Sequence, residues 1–209
     1  INGQWVDPVK KNDFEVINPS DESVCAIISL GSQADTDAAV SAAKAAFPMW
    51  SSSTKEDRIE LLEKLYDIYQ RRMDEMAEVI SMEMGAPIDF AKRSQAPSGT
   101  EAIEDFLIQL RKFEFEKQLD DSDNQLIYQP KGICALITPW NWPISQVALK
   151  VIPAIAAGCT MVLKPSEIAP LDSMIFADML EEAGCPAGVF NLVNGDGATT
   201  GDALTSHPD

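Results

Sequence analysis

Apolar residues along this chain change spacing several times, and each change marks an element. Ile133 to Thr138 is a short continuous apolar run, the pattern of a strand buried on both faces. Pro139 ends it. Ile144 to Ala157 carries apolar residues at helical spacing and stops at Gly158. Thr160 to Leu163 is a second apolar run, closed by Pro165. Strand, helix and strand in that order predict a right-handed βαβ crossover with parallel strands. Leu171 to Ala183 predicts the next helix, stopped by Gly184 and Pro186, and Val189 to Val193 a third buried strand. A Gly-rich loop, Asn194 to Gly201, then leads into a helix.

Before this unit the pattern is different. Asn2-Gly3 between apolar residues is a hairpin signal. Phe14 to Ile17 and Ser23 to Ser29 read as strands of a small antiparallel ribbon. A helix capped by Asp35 or Asp37 runs to Phe47. Ser53-x-x-Glu56 forms a capping box that opens a long helical stretch. Its stripe is Ile59, Leu62, Leu65, Ile68, Tyr69, Met76, Ala77, Ile80 and Met84. The stretch is one helix or two with a break near Arg71-Arg72, and Gly85 and Pro87 stop it. Ala91 to Lys112 predicts a third helical region. Phe113 to Gln129 alternates around the acidic turn Asp120 to Asn124, so it reads as a protruding hairpin with an open pairing edge. An ordinary surface hairpin fits its local pattern equally well.

The chain has 209 residues, 45% of them hydrophobic, enough for a buried core. The net charge of −17 argues against nucleic acid and against an anionic membrane surface. The most apolar stretch, Val147 to Ala157, is too short to span a bilayer and carries Lys150. A soluble, cytoplasmic protein is expected. Cys25, Cys134, Cys159 and Cys185 form no CxxC, and none has a histidine near it. They read as small buried hydrophobes in a reducing compartment, and no metal site is expected.

Polar residues gather where the predicted parallel strands end: Asn141 after the first, Lys164 and Glu167 after the second. In open α/β sheets ligands bind outside those carboxyl ends. On local grounds alone Asn141 reads more readily as a residue capping the turn before Pro143, and Lys164 and Glu167 as surface charges.

Taken together, the INGQWV opening, the helix ending in EMGAP, TPWNWP, KPSE and the late NGDG-x-x-x-G resemble the NAD(P)-dependent aldehyde dehydrogenase superfamily. All fall in family order and spacing along the whole chain. The resemblance implies oxidation of an aldehyde to a carboxylic acid through a cysteine thiohemiacetal and thioester, with hydride passed to the nicotinamide. It implies a Rossmann-like parallel sheet with flanking helices and a protruding antiparallel oligomerisation hairpin, in a homodimer or homotetramer. The implied division is 1–111, ribbon plus helices; 112–130, hairpin; 131–209, cofactor-binding core. Asn141 matches the oxyanion-hole asparagine, whose neutral amide donates without titrating. Lys150 matches a proton-relay lysine, although a lysine reaching past the sheet to solvent is an equally simple reading. Lys164, Ser166 and Glu167 match the KPSE segment that holds the adenosine ribose. A carboxylate there accepts from both ribose hydroxyls and repels a 2′-phosphate, which favours NAD, although relatives with this glutamate also accept NADP. Thr138, Pro139, Trp140 and, beside its oxyanion role, Asn141 match the segment lining the cofactor cleft, and Trp142 an aromatic position at the aldehyde tunnel. Gly197 and Gly201 match the loop beside the adenine.

The resemblance also places the nucleophilic cysteine, the general-base glutamate and a Gly-Ser-Thr turn beyond the equivalent of Asp209. The catalytic domain is therefore expected to be missing, and this chain, as the cofactor-binding part, to be inactive by itself. The alternatives are an inactive nucleotide-binding module and an assembly subunit using the acidic hairpin.

Overall fold

The structure, a computed structural model, describes residues 1–120 and 122–209. An antiparallel ribbon, β1 (Asp13–Ile17) and β2 (Val24–Ser29), comes first. Helices α1 (Gln33–Ser51), α2 (Lys55–Arg71) and α3 (Met73–Met84) follow. A short helix, α4 (Ile88–Phe90), passes through a π-helical turn at Ala91–Gln95 into α5 (Pro97–Lys112). The hairpin is β3 (Glu116–Gln118) with β4 (Gln125–Ile127). Then come β5 (Ile133–Ile137), α6 (Pro143–Ala156), β6 (Thr160–Lys164), α7 (Leu171–Glu182) and β7 (Phe190–Leu192). A second π-helical turn, Gly197–Gly201, leads into α8 (Asp202–Thr205).

β5, β6 and β7 form a parallel sheet in that order, with Ile137 opposite Lys164 and Leu163 opposite Leu192. The α/β architecture with flanking helices and a separate hairpin is as expected. The stripes of α2 and α3 meet α5, α6 and α7 in one core, where Leu62, Leu65, Ile80, Ile103, Ile152 and Phe176 are fully buried. Tyr69 and Phe176 pack edge to face at 6.3 Å. Tyr69 also donates from its hydroxyl to the Ala96 carbonyl at 2.8 Å, so its polar end is satisfied inside the core. No helix of the described residues is long and apolar enough to cross a membrane.

Several local expectations are corrected. β6 is buried throughout, but β5 is an edge strand: Ala135 and Ile137 are exposed, because among the described residues only β6 pairs with it. The capping box of α2 is Thr54 with Asp57, one residue later than Ser53 with Glu56. The Ser53 hydroxyl is occupied elsewhere, donating to the Trp50 carbonyl at 2.6 Å and accepting from Arg58. α1 is capped by Ser32, with Asp35 as the returning box member, and continues past Phe47 to bury Trp50. Asn2 and Gly3 have the expected left-handed backbone and close a turn, but no strands flank it. Instead the Asn2 amide donates to Asn191 and the Trp5 indole to Asp178, which docks the turn onto the sheet end and α7. The helical stretch does break at Arg72, and Gly85 ends α3 with φ +80°.

The hairpin is exposed along both strands, with Phe113 packing edge to face on Phe115 and Tyr128 at its base. Asp121, in the acidic turn, lies outside the described residues.

Candidate functional site

Parallel pairing sends β5 and β6 out of the sheet at the same end, so their following segments are neighbours. Thr138 continues the ladder, its amide donating to the Lys164 carbonyl at 3.2 Å, and is buried. Pro139, Trp140, Asn141 and Trp142 then turn across the sheet end and are all exposed. Pro143 begins α6 at the position where a missing amide hydrogen costs nothing.

The turn holds an uncommon backbone. Trp142 caps α6 with φ 53° and ψ 53°, a left-handed conformation. Helix caps normally sit in the extended region, and a residue before proline is pushed there as well. Strain of this kind costs on the order of 1–3 kcal/mol and persists where the surroundings hold it. Here Phe90 of α4 packs edge to face on the Trp142 ring at 5.6 Å. Phe90 is a neighbour of the site that the sequence pattern did not single out. Asn141, between the two tryptophans, is exposed and sits at the sheet end.

Lys164 ends β6 and is almost wholly buried. Its ammonium donates to the Pro165 carbonyl at 2.8 Å and to the Gly195 carbonyl at 2.6 Å. Glu167, half-buried, lies 3.5 Å away through Oε2. Ser166 is buried, and its hydroxyl accepts from the Ile168 amide. The KPSE segment and the glycine turn are thereby tied together by one cation. Gly195 lets Thr200 pack against the turn: a Cβ there would fall 1.9 Å from Thr200 Oγ1. Thr200 in turn donates to the Gly31 carbonyl.

Gly197 and Gly201 do not lie in an irregular loop. They open and close a π-helical turn capped by Asp196, whose carboxylate accepts from the Thr199 amide at 2.7 Å. That short side chain supplies the helix start that the glycine content obscured. A Cβ on Gly197 would meet nothing within 4 Å. An open groove of about 390 Å³ is lined by Ile137, Gly197, Ala198, Gly201, Asp202 and Thr205. It joins the end of β5 to the glycine turn. Lys150 lies within α6, half-buried, and makes no hydrogen bond or salt bridge among the described residues.

Behind the site a buried carboxylate holds the segment that follows Glu167. Glu83 of α3 accepts from the Leu171 amide at 2.6 Å and the Asp172 amide at 2.8 Å, capping α7 from another helix. Burial and the Asp172 carboxyl beside it raise the pKa of Glu83, and burial raises that of Asp172. The signal in the sequence was a glutamate inside an apolar helical stripe. Helical spacing alone could not tell its partner.

A sequence model of the aldehyde dehydrogenase family matches residues 5–209. A 3-succinoylsemialdehyde-pyridine dehydrogenase from a Pseudomonas species is 48% identical, over all of this chain and 44% of that protein. An aldehyde dehydrogenase from Bartonella henselae superposes with a TM-score of 0.98 at 52% identity, covering 100% of this chain and 44% of its own. A variant of aldehyde dehydrogenase C from Pseudomonas syringae, solved with NAD+ and octanal, superposes with a TM-score of 0.97 at 44% identity and is covered over 42% of its length. The chain thus spans less than half the length of the relatives it matches.

Proposed function

This chain belongs to the aldehyde dehydrogenase family, and from that membership we propose that it forms the cofactor-binding part of an enzyme that oxidises an aldehyde to a carboxylic acid. NAD, with NADP second, accepts the hydride when bound. The parts are 1–111, the ribbon and helices; 112–130, an assembly hairpin for a homodimer or homotetramer; and 131–209, the cofactor core. The protein is read as cytoplasmic. The observation that carries the proposal is the meeting of Glu167, Lys164 and the open glycine turn at the carboxyl end of two adjacent parallel strands, where open α/β sheets bind nucleotides.

Within that reading each residue has a physical task. Glu167 accepts hydrogen bonds from both hydroxyls of the adenosine ribose, and Ser166 and Lys164 shape its segment. Gly197 leaves the free space a nucleotide needs for close approach, and Gly201 lies against the stem of Lys164. Thr138, Pro139 and Trp140 line the cleft between the two strand ends. Asn141 donates its side-chain N–H toward the oxygen that becomes anionic when a thiolate adds to the aldehyde. Trp142, held against Phe90, walls the aldehyde path. Lys150 takes a proton-relay role from α6. The thiohemiacetal and thioester form on a cysteine other than the four in this chain.

The test is NAD+ titration followed by the fluorescence of Trp140 and Trp142, in the wild type and in Glu167→Gln. Charge-assisted hydrogen bonds contribute about 1.5–3 kcal/mol, so Kd should rise roughly 10- to 100-fold in the variant. An unchanged Kd removes the ribose assignment.

A further inference from the structure

Trp142 stands in a backbone conformation that its chemistry disfavours twice over. Among the described residues three non-glycine positions have a positive φ: Asn2, Glu22 and Trp142. Asparagine tolerates that region, because its short amide bonds the local backbone. A bulky aromatic residue does not, and the proline that follows pushes Trp142 toward the extended region as well. Burial alone does not hold it there, since Trp142 is 39% exposed. Hydrogen bonds fasten the turn only at its ends. The Thr138 amide donates to the Lys164 carbonyl, and the Trp142 carbonyl accepts from the Gln146 amide at 3.1 Å. Between them, among the described residues, no hydrogen bond reaches Trp140 or Asn141. The ring packed on Trp142 is Phe90, with centroids 5.6 Å apart and planes at 80°, the arrangement that two aromatic quadrupoles favour.

Phe90 is itself fixed from behind. It ends α4 and runs directly into the π-helical turn Ala91–Gln95. There the Ala96 amide donates to the Ala91 carbonyl at 2.9 Å, one residue further back than in an α-helix. Ala91 and Ala96 are fully buried, and the Tyr69 hydroxyl donates to the Ala96 carbonyl from the core. The Lys92 ammonium reaches Asp74 of α3 at 3.0 Å. Single π turns recur at functional sites. The wider turn changes the phase of the side chains before it relative to α5, and Phe90 is the last of those.

We propose, resting on the oxyanion reading of Asn141, that Phe90 is a positioning residue: its ring holds Trp142 left-handed, and that backbone aims the Asn141 amide. Relaxation of Trp142 into the region preferred before proline changes its φ by about 170°. Asn141 is the preceding residue and has no other fastening, so its side chain turns relative to α6. An edge-to-face aromatic pair shifts an equilibrium by about 2- to 13-fold. That overlaps the factor of roughly 5 to 150 by which such backbone strain disfavours the turn. Loss of the ring is therefore enough to populate the relaxed turn without unfolding the chain.

Phe90→Leu keeps apolar bulk and removes the ring, and Phe90→Tyr keeps both. In the chain itself, nuclear magnetic resonance reads the Cα shift of Trp142, which separates left-handed from extended backbone, and the side-chain amide of Asn141. Both should move in Phe90→Leu and return in Phe90→Tyr, while the amides of β5, β6 and β7 stay in place. In a protein of the relatives' full length bearing this chain, Phe90→Leu should lower kcat by about 2- to 13-fold. The Kd for NAD+ should stay within twofold, and Phe90→Tyr should restore the rate. A Phe90 that only supports the fold would move the sheet resonances and the Kd instead. In Asn141→Ala the ring should no longer matter, so the double variant should turn over as Asn141→Ala does. A further loss in the double variant, or a Trp142 Cα shift that stays in place in Phe90→Leu, overturns the positioning role. So does a kcat unchanged in Phe90→Leu while Asn141→Ala is slow, and that result leaves the oxyanion reading standing. A kcat unchanged in Asn141→Ala refutes the oxyanion reading and takes the positioning role with it.

Discussion

Glu83→Gln probes the buried carboxyl pair behind the site. Glu83 and Asp172 are 1% and 0% exposed, and the Glu83 carboxyl faces the first amides of α7. Both are raised, Glu83 by burial and then by the Asp172 charge, Asp172 by burial. The folded pair therefore keeps a proton at pH values where both carboxyls of the unfolded chain have ionised. Stability from a raised group is fully present below the unfolded pKa and is lost as pH rises through the folded one. One retained proton gives a slope of about −1.4 kcal/mol per pH unit across that window. The carboxylates held low by their partners, such as Asp35, Asp57 and Glu75, titrate below it and contribute no slope there. Glutamine keeps one acceptor for the two amides and leaves the other amide unpaired, a pH-independent cost of about 1–3 kcal/mol. Urea unfolding of wild type and variant at pH 5, 6 and 7 separates the two effects. The wild-type advantage should shrink by roughly 1.4 kcal/mol per unit as pH rises, because the variant lacks the proton that Glu83 itself retains. A difference that stays flat from pH 5 to 7, or that grows, refutes a Glu83 that is protonated in the folded chain.

Asn141→Ala, assayed for aldehyde oxidation in a protein of the relatives' full length bearing this chain, should lower kcat by about 10²–10³ while the Kd for NAD+ stays within twofold. A loss confined to Kd would assign the amide to the cofactor instead. Gly188→Ala should destabilise the fold by about 1–3 kcal/mol in urea unfolding. Its φ is +82° and a Cβ would fall 2.7 Å from the Ala42 carbonyl. An unchanged midpoint would mean that α1 moves away from β7 at no cost.

The βαβ crossover was legible because β6 and α6 are apolar over lengths that only a buried strand and a buried helix explain. β5 carries an equally apolar pattern and is an edge, since continuity of apolar residues cannot say on which side a partner stands. The cap of α2 slipped by one because Ser53 and Thr54 have the same local chemistry, and only the distant Arg58 draws Ser53 away. Phe90 beside Trp142, Glu83 beneath α7 and Arg58 against Gly158 share one cause of invisibility. Each meets its partner across dozens of residues of chain, and no spacing rule reaches that far.

The same long-range ties bear on how the proposed cofactor residues divide their work. An ammonium has three donors. In Lys164 two are committed to buried carbonyls at 2.6 and 2.8 Å, and the third points at Glu167 from 3.5 Å. Removing Lys164 would strand the Pro165 and Gly195 carbonyls in the interior, each costing about 1–3 kcal/mol, and would loosen the glycine turn. A loss of nucleotide affinity in such a variant would therefore not distinguish a ribose contact from a collapsed groove. Glu167 has no such structural duty, because its only polar contact among the described residues is that 3.5 Å approach, and its side chain keeps 27% of its surface free. On the proposed reading the cation fixes the frame and the carboxylate faces the ligand. That division makes Glu167 the position where affinity for the ribose can be read separately from the integrity of the site.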